Sequence, residues 1–151
     1  MSSTAIDVAD AVMHELNLGE FSLSFTAERL LLPSFELADL ANVKVSVVPR
    51  AIAVTSAGRA LAQYDLGVDV GVQRRLNSPP DDDVEALSGL VEELTAYLRQ
   101  RPLSLQPAIH WVRSEIDPLY DLKHAVERRT FTSVLKLTYR AMVSSAEGSP
   151  S

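Results

Sequence analysis

The chain has 151 residues and 16.5 kDa, with 14 Lys and Arg against 20 Asp and Glu and a formal net charge of -6. That length predicts one domain, and a composition 46% hydrophobic and 23% charged is too apolar for a disordered chain. The absence of cysteine excludes a disulfide framework, a thiolate metal site and a thiol nucleophile. No apolar run approaches the ~20 residues that span a bilayer, and the start MSSTAIDVAD lacks the basic and apolar regions of a secretion signal. The acidic balance argues against nucleic acid as the main partner. A soluble, intracellular-type protein is the expectation.

The first element is a helix, capped by Ser3 or Thr4, with Ile6, Ala9, Met13 and Leu16 at steps of three and four and Val8 and Val12 beside them. Asn17 and Gly19 end it through a left-handed cap. Phe21, Leu23, Phe25 and Ala27 alternate with polar residues, the period of a half-buried strand. Pro33 interrupts, and Phe35 to Leu40 has room for one helical turn. Val43, Val45 and Val47 form a second strand that Pro49 stops. Arg50 to Ala60 reads as a long connection, and such connections in compact domains are usually functional or mobile.

The next strand has the cleanest alternation, with Tyr64, Leu66, Val68, Val70 and Val72 on one face and Asp65, Gly67, Asp69, Gly71 and Gln73 on the other. The two glycines leave that second face either solvated or closely approached by another backbone. Asn77-Ser78-Pro79-Pro80 breaks the chain before a second helix, whose stripe is Val84, Leu87, Val91, Leu94 and Leu98. Asp81, Asp82, Asp83 and Glu85 at its start, with Arg99 and Arg101 at its end, complement the helix dipole. Ala108 to Ile116 reads as a strand, with Ile109 and Trp111 opposite His110, Val112 and Ser114. A short helix over Leu119 to Glu127 precedes a final strand whose inward residues are Phe131, Ser133, Leu135, Leu137 and Tyr139. Residues 1–143 form the domain, and 144–151 read as a flexible tail. The fold class is α+β: a mostly antiparallel sheet of four or five strands with two main helices on one face.

The search for chemistry yields no catalytic, metal or cofactor-binding residue. His14, His110 and His124 lack a partner at metal-ligand spacing. Asp65 and Asp69 share a strand face about 13 Å apart, beyond the ~5–9.5 Å of glycosidase carboxylate pairs. Asp81, Asp82 and Asp83 have no calcium-loop spacing, and Gly67 and Gly71 sit in a strand rather than a phosphate loop. What remains is surface: acidic groups at Asp65, Asp69, Asp81, Asp82 and Asp83, a small-residue strand face, and an arm containing Arg50, Val54 and Arg59. Subunit packing and simple solvation account for that strand face equally well.

Three segments carry a resemblance: Val43 to Pro49, Tyr64 to Gln73 and Arg129 to Tyr139. With the order of elements, they resemble the tail terminator (tail-completion) proteins of tailed phages and prophages, over roughly residues 4 to 143. The resemblance implies a structural, non-enzymatic virion protein, made in the host cytoplasm. It implies a homohexameric ring that caps the tail tube, joins it to the head-proximal neck and passes genomic DNA through its channel. Its implied partners are tail tube protein and a neck protein, with no cofactor and no membrane. The arm at Arg50, Val54 and Arg59 is then the contact to the tube or neighbouring subunits. The alternatives are another neck component (a stopper or adaptor), a small bacterial ligand-binding domain, and an enzyme whose site forms between subunits around His110 or His124.

Overall fold

The structure, a computed structural model, describes residues 3–31 and 41–144. The elements run α1 (Thr4–Leu18), β1 (Ala27–Arg29), β2 (Lys44–Gly58), β3 (Leu61–Arg75), α2 (Asp81–Leu98), β4 (His110–Ile116), α3 (Leu122–Glu127) and β5 (Thr130–Ser144). They build one five-stranded sheet in the order β1-β2-β3-β5-β4. Every pairing is antiparallel except the three-residue parallel contact of β1 with β2. The fold is α+β, as the sequence predicts. Pro33 and the turn expected over residues 35–40 lie outside the described residues. So does the expected tail, apart from Ser144, which closes β5.

Strands β3 and β5 occupy the middle of the sheet and pair along their full lengths, from Leu61↔Ser144 to Arg75↔Thr130. Their alternation turns Leu66, Val68, Val70 and Val72, together with Phe131, Leu135, Leu137 and Tyr139, into one buried face. Helix α1 adds Val8, Val12 and Leu16, and α2 adds Leu87, Leu90, Val91, Leu94 and Leu98 to the same core. Each such aliphatic side chain contributes ~1.5–3 kcal/mol on full burial. One polar atom disturbs this core. The Tyr139 hydroxyl is buried without a hydrogen-bond partner among the described residues, and burial, then the nearby Glu15 charge, pushes its ionisation well upward. A buried hydroxyl without a partner costs ~1–3 kcal/mol. Tyr139→Phe is therefore expected to unfold at an equal or higher urea midpoint than the parent; a clear drop would reveal an unseen partner.

Four local expectations are corrected. Gly19 ends α1 in an extended conformation (φ -83°), not a left-handed one. Its necessity is steric, since a Cβ there would stand 2.7 Å from the Phe21 ring. Phe21 to Thr26 is not a strand, because the ladder begins only at Ala27. The alternating burial is real, but it comes from packing: Phe21 stacks on Phe25 at 5.4 Å and meets Tyr97 edge-on at 5.0 Å. Ser22 bonds Glu93 of α2 through both its N–H and its hydroxyl. The Asn17 side chain replaces a ladder partner for Ala27, accepting from its N–H at 2.8 Å and donating to its carbonyl at 3.1 Å.

Pro49 does not stop β2, and Arg50 to Ala60 is not a loose connection. Strand β2 continues to Gly58 through a bulge between Pro49 and Ala51. The Val47 carbonyl faces outward to accept from Leu30 N–H, so Pro49, two residues on, turns its donor-less nitrogen to the same outer edge. In β4 a bulge at Val112 reverses the face assignment beyond Trp111. Trp111 and Ser114 consequently share a side, and the indole N–H donates to the Ser114 hydroxyl at 2.8 Å.

Candidate interaction surface

Beyond the helical layer, β2 and β3 continue as a hairpin whose two-residue tip is Arg59-Ala60, closed by the pair Gly58↔Leu61. Gly58 sits at φ +143°, which L side chains rarely adopt. All residues from Arg50 to Leu61 are exposed. The pairs Ile52↔Leu66 and Val54↔Tyr64 carry the helix-side face of the sheet onto this hairpin, where no helix of the described residues covers it. Ile52 is 45% and Val54 57% exposed. Among the described residues the outer edge is open as well, because β1 pairs with β2 only as far as Val47. Folded proteins usually blunt such an edge with Lys, Pro, a bulge or a cover. Here the proline and one bulge stand at the base, a second irregularity between Ser56 and Gly58 stands beside the tip, and Ala51 to Ala57 holds no charge.

The predicted arm residues fall at three levels of this hairpin. Arg50 is its brace: the guanidinium folds over Gly67, where a Cβ would come within 2.7 Å of it, and donates to Asp69 at 2.6 Å. This close approach accounts for Gly67; nothing stands within 4 Å of a Cβ at Gly71. Val54 lies midway along the exposed apolar face, and Arg59 is at the tip with no ion-pair partner among the described residues.

The predicted acidic residues are split. Asp65 lies opposite Arg140, which donates to it at 2.8 Å and, with burial opposing, holds its carboxyl below the usual aspartate range. Asp69 lies opposite Lys136 and is bonded by Arg50. Both are members of ion pairs, so this face is charge-balanced rather than acidic. Asp81, Asp82 and Asp83 form the first turn of α2, some 15 residues along the chain from Leu66, and Asp83 accepts from Asn77 N–H at 2.7 Å. Among the described residues none of them shares a hydrogen-bond or ion-pair partner with Asp65 or Asp69.

Of the histidines, His110 is exposed opposite Arg140, and His124 sets its Nδ1 3.1 Å from the Thr132 hydroxyl. Among the described residues no group of three His, Asp or Glu side chains could hold a metal ion, and no helix is long and apolar enough to cross a membrane.

Sequence reasoning missed one polar cluster. Glu15 of α1 is buried and accepts from Arg101 Nε at 2.9 Å and from the Ser104 N–H at 3.2 Å and hydroxyl at 2.6 Å. Tyr97 donates to the Glu15 carbonyl at 2.8 Å and lies under the Arg101 guanidinium, 4.0 Å from ring centroid to Cζ. Burial pushes the Glu15 carboxyl up, but the Ser104 and Arg101 hydrogen bonds outweigh it and leave it below the ordinary glutamate range. The cluster joins α1 to the segment after α2, with the Glu15 carboxylate buried and the Arg101 guanidinium partly exposed. Only Glu15 itself, a charge next to Leu16 on an apolar stripe, signals it in the sequence.

No protein-family model and no curated protein matches the chain. Among solved structures it is similar to the sheath/tube terminator of an extracellular contractile injection system (PVC) in its extended state, with a TM-score of 0.46 and 14% identity. The alignment covers 95% of this chain, which spans 58% of that one.

Proposed function

We propose that the protein is a structural tail terminator: a homohexameric ring that caps the tail tube and joins it to the head-proximal neck, with DNA passing through the channel unread. The observation that carries this reading is the β2–β3 hairpin, a stiff projection exposed on its apolar face, its edge and its tip. A surface of that kind suits assembly, where backbone edges and flat faces are covered by other subunits. The three segments that resemble tail terminators supply β2, β3 and β5, the contiguous middle of the sheet that bears this hairpin.

Light scattering behind size exclusion, over a range of concentrations and then with tail tube protein from the same genome, tests the reading. The expected result is a species about six times the 16.5 kDa chain mass, alone or formed on tube ends. A ring that ignores tube ends would assign the protein to the neck instead. A monomer at every concentration that never joins a tube would overturn the assembly reading.

A further inference from the structure

The hairpin has a counterpart on its own chain. Between the start of α2 and α3 lies an open groove of about 430 Å³, walled by Leu76, Val84, Tyr120 and Val126 and rimmed by Asp81 and Glu85. Its extension past Leu76 and Val126 ends at Arg129. Helix α3 turns apolar side chains to solvent beside it: Leu122 is 67% and Val126 77% exposed. An apolar wall with carboxylates on the rim complements an aliphatic projection that carries one cation. The hairpin offers Ile52 and Val54 with Arg59 at the tip, and neither Arg59 nor Asp81 or Glu85 has an ion-pair partner among the described residues.

Topology decides which copy supplies the occupant. Tip and groove stand at opposite ends of the same strand, β3, which begins at Leu61 next to the tip and ends at Arg75 next to Leu76. At ~3.3 Å per residue they are about 45–50 Å apart, so no chain reaches its own groove. We infer that the β2–β3 hairpin tip of one copy docks in the α2–α3 groove of the next. This contact joins two different patches and is therefore head-to-tail, the type that closes into rings or continues as filaments. The inference deepens the terminator reading by naming the surface that links subunits, yet it stands on the hairpin and groove alone. The exposed stretch Arg50 to Leu61 is short of the ~20–30 residues per side of a standard interface. A single contact is accordingly weak, and assembly depends on concentration or on ring closure.

The test uses the absence of native cysteine. Full-length Arg59→Cys and Val126→Cys variants, both at exposed positions, are mixed with a short bis-maleimide linker, since a disulfide would demand Cα atoms within ~7 Å. Docking raises the effective concentration of the two thiols for each other. The mixture is expected to give about tenfold more cross-linked dimer than either variant alone. In a second arm, Arg59→Glu abolishes self-association and Glu85→Arg placed in the same chain restores it. Equal cross-linking in all three samples overturns the inference, as does a dominant product from Arg59→Cys alone, which would mean tip-to-tip pairing. A Val126→Cys thiol shielded from a monofunctional maleimide in the monomer also overturns it, because another part of the same chain then fills the groove. The cross-linking reactions contain no tube protein, and tube binding is read separately in the light-scattering mixture. Cross-linking without tube binding keeps this inference and loses the terminator reading, and tube binding without cross-linking does the reverse.

Discussion

Glu15→Ala is expected to lower the unfolding free energy by about 2–4 kcal/mol, because it removes three acceptor contacts and leaves the Ser104 N–H and hydroxyl and the Arg101 guanidinium without their shared partner. For a domain of this size that corresponds to a fall in Tm of roughly 5–12 °C. The sole tryptophan, half-buried Trp111, and far-UV circular dichroism supply independent readouts of the same transition. The effect has a pH signature. The Glu15 carboxyl lies below its ordinary value in the folded state, so the unfolded chain binds its proton first. The stabilisation is fully present above the unfolded pKa and is lost as pH falls through the folded one. Glu15→Gln keeps the shape and one acceptor oxygen but cannot titrate. Its stability should fall less steeply than that of the parent as pH drops below the glutamate range. Parallel acid profiles for parent and Gln variant would mean that the cluster does not hold a carboxylate.

The parts of this fold that a sequence records are those with one buried face. Strands β3 and β5 show this directly: each sets its buried hydrophobic side chains at alternate positions, so Leu66 to Val72 and Leu135 to Tyr139 print a period of two. Helix α2 prints its stripe for the same reason, with Leu90 joining Leu87, Val91, Leu94 and Leu98. The hairpin beyond Pro49 buries neither face in the free chain. Its residues carry no alternation, and a strand there reads as a loop. Residues 21–26 fail in the opposite direction: the alternation is present because aromatic packing demands it, without a strand partner among the described residues. The candidate surface was legible as a stretch, Arg50 to Ala60, but its hairpin shape was not, because the ladder to residues 61–67 is a tertiary fact. Charge behaves similarly. Asp65 and Asp69 read as an acidic face because their partners, Arg140 and Arg50, lie 75 and 19 positions away. The Glu15–Arg101 pair spans 86 positions and no local pattern encodes it.

Excising residues 55–63 and joining Val54 to Tyr64 through Asn-Gly is expected to separate stability from assembly. The removed residues are exposed or half-buried and none belongs to the core, whereas Leu66, Tyr139 and Ala141 remain covered as before. Asn-Gly supports the tight two-residue turn that the new hairpin requires. The opposing end of β5, Met142 to Ser144, loses its ladder partners, a cost confined to a terminal segment that would fray. The urea midpoint should therefore move little, by no more than about 1 kcal/mol in unfolding free energy. Assembly should be lost, because the truncation takes away the tip, the outer part of the free edge and the only unpaired cation of the projection among the described residues. The combination is diagnostic. Shortening a hairpin retained for folding would lower the unfolding free energy by several kcal/mol, as loss of core burial does. A hairpin retained for contact leaves a well-folded monomer that neither forms rings nor joins tube ends. A shortened protein that still assembles would place the subunit contact elsewhere on the molecule and leave the exposed apolar strand without a purpose.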